Sequence, residues 1–245
     1  DNVDLDAATE RGIVVTYTPG ANAVSVAEHA FALLLALVRK VTSADRSVRE
    51  GEGKGQEFEG VELAGKTMGV IGLGAIGSRV AKRAIAFEMR VVAHDPYVDP
   101  EKASSLGVEL VDLDTLLRRS DVVSLHAALT ERTKHLISRR EIGLLKPTAV
   151  IVNAARGRLI DEEALVQALK EKRILGAALD VFQEEPLPPG HPFLKEPNVV
   201  LTPHIAAFTK EALSRGDKIV AEDLATVIRG GRPNYVANPS VFTKN

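Results

Sequence analysis

The sequence predicts an α/β fold in which a doubly wound parallel sheet is flanked by helices. Two observations carry this expectation. From Lys66 onward, short β-branched runs alternate with amphipathic stretches, and strand–helix alternation with short connections marks a parallel sheet covered on both faces. Most of the strand runs are also continuously apolar, as strands buried on both faces are. At 245 residues, 45% hydrophobic and 26% charged, the chain holds one large domain or one and a half.

The elements follow in order. Residues 5–11 read as a helix stopped by Gly12, and residues 13–17 as a strand. The chain opens on Asp1 without an initiator methionine, so this stretch reads as the tail of a unit whose beginning lies outside the sequence. Residues 22–40 form a long helix. Within it, Ser25 and Glu28 have capping-box spacing, in which each side chain reaches a backbone N–H near the helix start. Residues 30–38 are the longest apolar run, too short for a bilayer, which needs ~20 residues. This helix carries more apolar surface than one sheet would cover, which points to a homodimer formed through residues 22–40. Residues 49–60 are charged and Gly-rich and read as a loop. Strands are expected at 67–71, 90–93, 122–125, 149–153, 177–181 and 199–202, with helices at 75–87, 113–119, 139–145 and 162–172. Residues 182–198 hold five of the twelve prolines and must be irregular, because proline can neither donate to a ladder nor sit inside a helix. A last helix, 210–229, ends at Gly230-Gly231. The expected division is a remnant of a first domain at 1–20, a nucleotide-binding domain at 21–208, and a C-terminal helix and tail at 209–245 that return to the first domain.

Composition narrows the function. A net charge of −2 argues against nucleic acid, which needs clustered cations to displace phosphate counterions. The absence of Cys removes disulfides, thiol nucleophiles and thiolate metal sites, and the six His residues show no ligand spacing, so no metal is expected. The acidic start (Asp1, Asp4, Asp6) is unlike a secretory leader. A cytoplasmic protein with no membrane segment is the default expectation.

Residues 70–77, Val-Ile-Gly72-Leu-Gly74-Ala75-Ile76-Gly77, run from a strand through a glycine turn into a helix. Gly72 permits the tight turn, Gly74 lets backbone approach a pyrophosphate, and Gly77 allows close helix–strand packing. The helix start offers free N–H groups and a positive dipole end to the anion. Glycines also mark ordinary turns, so context decides. A second strand ends in Asp95, eighteen residues after Gly77. A carboxylate there accepts ribose hydroxyls and repels a 2′-phosphate, which favours NAD over NADP.

In such sheets the ligand lies at the carboxyl ends of the strands. The later strands end in His126, then Asn153-Ala154-Ala155-Arg156-Gly157, then Asp180 followed by Glu184-Glu185, then His204. These types suit reduction of a keto acid by hydride. Arg156 presents a planar donor fork to the substrate carboxylate and carbonyl. His204 supplies the proton that must follow the hydride. A carboxylate on its other ring nitrogen would hold the tautomer and favour the protonated form; Glu185 and Asp180 both qualify. His94 and His126 read as structural, and His29, His135 and His191 have no evident role.

Residues 153–161 (NAARGRLID), 176–186 (GAALDVFQEEP) and 202–206 (TPHIA) together resemble the signatures of the D-2-hydroxyacid dehydrogenase family. The likeness runs in order along nearly the whole chain, and is greatest to phosphoglycerate dehydrogenases and glyoxylate/hydroxypyruvate reductases. It implies a Rossmann-type NAD-binding domain with a partial, flavodoxin-like substrate domain. It implies NAD as cofactor, a small 2-hydroxy or 2-keto acid as substrate, and, for the phosphoglycerate branch, a place in serine biosynthesis. It implies Arg156 as the substrate-binding residue, His204 as acid/base and Glu185 as its carboxylate, which moves Asp180 to the nicotinamide end. Gly72, Gly74, Ala75, Ile76, Gly77 and Asp95 match adenosine and pyrophosphate contacts. Ala127, Ala154, Ala155 and Ala207 match positions lining the cofactor. The family also includes NAD-sensing corepressor scaffolds. The chain departs from the pattern at Ala75, where phosphoglycerate dehydrogenases often have Arg, and at Ala127-Ala128, which replaces a stretch that usually includes Pro. Phe208 stands for a small residue near the acid/base, which implies a narrower pocket. Glu88 stands where a helix-ending Gly is usual, which implies a strained or differently wound cap.

Overall fold

The computed structural model describes residues 3–52 and 55–243. Asp1 and part of the expected 49–60 loop lie outside the described residues. The chain divides into two compact units, Val26–Ala206 and, separately, Asp1–Ser25 with Ala207–Asn245.

The larger unit is built on one seven-stranded sheet with every neighbouring pair parallel. Its strands are β1 (Thr67–Ile71), β2 (Arg90–His94), β3 (Glu109–Leu110), β4 (Val122–Leu125), β5 (Val150–Asn153), β6 (Gly176–Leu179) and β7 (Val199–Leu201), in the order β3-β2-β1-β4-β5-β6-β7. The order reverses between β1 and β4, so a crevice forms beyond their carboxyl ends. β1, β4, β5 and β6 are buried at every residue, which is why their sequences show no polar alternation.

Each face of the sheet has its own core. One gathers Leu116 and Leu117 of α6 (Leu113–Arg119), Ile142 of α7 (Arg139–Leu144) and Leu165 and Leu169 of α8 (Glu162–Lys170). The other gathers Leu33 and Leu34 of α2 (Ala23–Val38) with Val80 and Ala84 of α4 (Gly77–Ala86). Phe31 of α2 stacks on Phe87 at 5.2 Å. Of the α2 run 30–38, only Ala32 is exposed, and residues 35–37 are half-buried. The surplus apolar surface expected there is thus largely covered within the chain itself.

In the smaller unit, α1 (Leu5–Glu10) is capped by Asp4, whose Oδ1 accepts from Ala7 N at 2.9 Å. α9 (Lys210–Ile228) is capped by Thr209. Residues 13–17 do not form a sheet strand. They pair with the C-terminal tail through Tyr17 N–Tyr235 O (3.1 Å) and Ala237 N–Val15 O (2.8 Å), with Thr16 and Val236 in a single antiparallel bridge. Asn238 pins this pairing by accepting from Val15 N and donating to Ile13 O.

Two further expectations change. The helix α3 (Val41–Arg49) and the short α5 (Pro100–Ser105) and β3 were not anticipated. The Ser25–Glu28 capping box does not form, because the helix already starts at Ala23. Ser25 Oγ instead meets Thr209 Oγ1 at 2.7 Å, and Glu28 accepts from Arg83 Nη2 at 2.8 Å. A real capping box lies at Ser138 and Glu141, at the start of α7. Glu88 adopts φ +60 just past α4, the left-handed cap that glycine would fill at less cost.

Candidate active site

The glycine turn after β1 is shaped by close backbone contacts. Gly72 has φ +89, and a Cβ there would lie 2.8 Å from Ala127 N and from His126 C, in the loop leaving β4. At Gly77 a Cβ would lie 2.0 Å from Gly72 O. Neither position has room for a side chain. Gly74 is the opposite case, since a Cβ there would meet nothing within 4 Å. The space over the turn is open, at the N-terminus of a ten-residue helix whose first N–H groups have no intrahelical acceptor. Asp95 ties β2 to this turn: its Oδ2 accepts from Leu73 N at 2.8 Å and its Oδ1 from Tyr97 N at 2.9 Å. Each oxygen keeps a lone pair for a further donor.

The loop after β5 is held by Asn153, a buried residue at the strand end. Its Oδ1 accepts from Ala155 N (3.0 Å) and its Nδ2 donates to Arg156 O (2.9 Å). Arg156 is exposed, with Nη1 donating to Ala155 O at 2.7 Å. Ala154 is buried and Ala155 half-buried. Gly157 follows because the next loop passes there: a Cβ would lie 1.9 Å from Phe182 C. Phe182 and Gln183 are thus packed against the Arg156 loop.

Glu185 and His204 meet. His204 Nδ1 lies 2.6 Å from Glu185 Oε2, while Glu185 Oε1 accepts from Phe182 N at 2.9 Å. An ionised carboxylate only accepts, so Nδ1 carries the proton and Nε2 is left for other partners. Sequence reasoning left Glu185 and Asp180 as rivals for this contact; the geometry gives it to Glu185. An apolar cavity of about 490 Å³ opens beside the pair, lined by Phe182, Pro186, Leu187, Leu194, Leu201 and Pro203.

Asp180, expected near the cofactor, has no exposed surface. Its carboxylate accepts from Thr202 Oγ1 (2.6 Å), Ile205 N (2.9 Å) and Ala206 N (2.9 Å). Burial alone would push its carboxyl up, but hydrogen bonds from His29, Thr202 and the backbone more than offset this and hold it below the usual carboxylate range. Ala207 lies in the smaller unit and accepts from Thr209 N at 3.0 Å. Phe208, in the same unit, is exposed.

Spacing assigns no role to His29 or His191, yet both stand behind site residues. His29 Nε2 lies 2.9 Å from Thr202 Oγ1 and 3.3 Å from Asp180 Oδ1. His191 Nε2 lies 3.6 Å from Glu162 Oε2, and Glu162 Oε1 accepts from Gln183 N at 2.6 Å, on the Glu185 loop. Burial raises the Glu162 carboxyl above its ordinary range. Only proximity in the fold reveals these partners, since neither lies within the signature runs. His135 is exposed. His94 Nδ1 meets Val111 O at 3.1 Å, a structural contact. His126 Nε2 meets Ser124 Oγ at 2.8 Å, and its buried Nδ1 has no partner among the described residues. Burial pushes the His126 imidazole down to about 4. Among the described residues no group of acidic and His side chains could hold a metal, and no helix is long and apolar enough to cross a membrane.

The profile of the D-isomer specific 2-hydroxyacid dehydrogenase NAD-binding domain matches residues 31–206. The chain belongs to this family. It is 51% identical over 230 residues to a D-3-phosphoglycerate dehydrogenase of Archaeoglobus fulgidus, covering 94% of the chain and 44% of the relative. It is 46% identical to a glyoxylate reductase of Korarchaeum cryptofilum, covering 98% of the chain and 74% of the relative. The crystal structure of D-lactate dehydrogenase from Aquifex aeolicus, complexed with NAD and lactic acid, superposes with a TM-score of 0.85 at 34% identity, covering 100% of this chain and 76% of that one. The chain spans less than half the length of these phosphoglycerate dehydrogenases. The residues present fit the dinucleotide that the family binds. The open space at Gly74 would take the pyrophosphate, and Asp95 has acceptor capacity left for ribose hydroxyls.

Proposed function

We propose that the chain belongs to an NAD-dependent oxidoreductase that transfers a hydride between NAD(H) and a small D-2-hydroxy acid or its 2-keto form. The observation that carries this reading is the 2.6 Å contact between His204 Nδ1 and Glu185 Oε2, on loops that extend the carboxyl ends of β6 and β7.

NADH, when bound, supplies the hydride. Gly72, Gly74, Ala75, Ile76 and Gly77 hold its pyrophosphate, and Asp95 its adenosine ribose, in preference to NADP. Ala127, Ala154 and Ala155 line the dinucleotide. Arg156 pairs with the substrate carboxylate through its guanidinium fork and polarises the carbonyl. As hydride reaches the carbonyl carbon, negative charge grows on oxygen, and His204 donates the proton from Nε2. Glu185 keeps Nδ1–H engaged, which fixes the tautomer and ring orientation and pairs with the imidazolium that forms in the reverse direction. Asp180 sits behind these groups and shapes the loop that carries His204.

The substrate is proposed to be 3-phosphoglycerate, on the 51% likeness to a D-3-phosphoglycerate dehydrogenase; glyoxylate or hydroxypyruvate is the second reading, on the 46% likeness to a glyoxylate reductase. A panel of 2-keto acids with NADH, followed by chiral analysis of the product, separates them. D-products are expected from every acid whose product is chiral (glyoxylate gives achiral glycolate), and an L-product or no turnover with any acid would overturn the reading.

Residues 1–20 and 209–245 are proposed to belong to a flavodoxin-like substrate domain. A homodimer through residues 22–40 is proposed as well, resting on the half-buried Ala36 and Leu37 that border a cavity of about 570 Å³. A monomeric mass in solution contradicts the dimer.

A further inference from the structure

We infer that His29 is a positioning residue for proton transfer, acting through Thr202 and Asp180 on the backbone that presents His204. The inference rests on the assignment of His204 as the acid/base.

Three consecutive N–H groups converge on Asp180. His204 N donates to its backbone carbonyl at 2.7 Å, Ile205 N to Oδ1 at 2.9 Å, and Ala206 N to Oδ2 at 2.9 Å. This convergence holds His204 at φ +54, a left-handed conformation that is costly for an L side chain. The imidazole meets Glu185 only because the backbone is held that way. The arrangement depends in turn on a carboxylate with no exposed surface, and a buried carboxylate persists only while its oxygens are satisfied.

His29 completes that satisfaction. The Thr202 hydroxyl has one proton and gives it to Asp180 Oδ1 at 2.6 Å. Towards His29 Nε2, 2.9 Å away, the same oxygen must therefore accept. Nε2 thus carries a proton, and it also lies 3.3 Å from Asp180 Oδ1. One N–H serves both the hydroxyl and the carboxylate. Protonation of Nδ1 leaves this N–H in place, so the contact survives in either charge state of the ring. His29 reaches the loop from α2, so the sheet face packed on that helix is tied to the segment that moves the proton.

The test compares His29→Gln, which keeps an N–H donor at similar reach, with His29→Leu, which keeps volume and removes the donor. Expected for His29→Leu are a kcat for 2-keto acid reduction lower by about 10- to 100-fold, the range a misplaced reacting group produces, unchanged NADH affinity, and loss of the NMR signal of the His204 Nδ1 proton shared with Glu185. His29→Gln is expected to recover most of the turnover and the signal. A folded His29→Leu variant with wild-type kcat and an intact signal overturns the inference. So do Gln and Leu variants that are equally impaired, since shape rather than the donor would then matter. If His29→Leu does not fold, Thr202→Val removes the bridging hydroxyl at similar volume, and persistence of the Nδ1 proton signal in it is the overturning result. If wild type reduces no 2-keto acid, the functional reading fails, and the Nδ1 signal in the variants still decides the role of His29.

Discussion

At the scale of single residues, Asp95 shows how one carboxylate carries both structure and selectivity. It accepts from Leu73 N and Tyr97 N, fastening the end of β2 to the glycine turn, and its remaining lone pairs face whatever lies over that turn. A ribose with free hydroxyls can donate to it, whereas a 2′-phosphate would meet like charge. Asp95→Ala is therefore expected to lower NADH affinity and to narrow the NADH over NADPH preference by about tenfold, worth ~1.4 kcal/mol. Parallel fluorescence titrations measure this, and an unchanged ratio would remove Asp95 from the selectivity. Asn153 is a contrasting case. Its type suggested only a polar strand end, yet its side chain makes both contacts that curl the Arg156 loop.

At the scale of elements, the cap of α4 carries a measurable penalty. Glu88 occupies φ +60, so Glu88→Gly is expected to stabilise the fold by about 1 kcal/mol. Denaturant melts test this, and destabilisation would show that the Glu88 side chain contributes more than its backbone costs. The same element shows what was legible in the sequence. The strands of the sheet interior were readable because burial on both faces leaves no alternation to confuse them, and the glycine turn because Gly72 and Gly77 have no room for a side chain. The short β3 was not readable, since two residues on a sheet edge leave no pattern. The capping box was misplaced because Ser25 and Glu28 have the right spacing but are engaged by Thr209 and Arg83. The pairing of His204 with Glu185 followed from family likeness, and geometry then excluded Asp180 as the partner. The contacts of His29 and His191 depend on packing between distant segments, which spacing does not encode.

At the scale of the whole molecule, stability is expected to depend on pH through His126, whose buried Nδ1 has no partner among the described residues. Its folded-state value is about 4 against an ordinary 6.5, so the unfolded chain takes up a proton first as pH falls. The stability present above about pH 6.5 is then lost progressively towards pH 4, on the order of 3 kcal/mol over that window. Melts of wild type and His126→Gln between about pH 7.5 and about pH 4.5 check this, with a shallower decline expected in the variant; parallel declines would place the acid sensitivity elsewhere. The central claim is that this fold brings a proton donor to a carbonyl while binding the dinucleotide separately. The most direct test measures single-turnover reduction of a 2-keto acid and NADH affinity together, in wild type and in His204→Ala. In His204→Ala, hydride transfer is expected to slow by about 10²- to 10⁴-fold with NADH affinity nearly unchanged. Equal rates in the two proteins would contradict it.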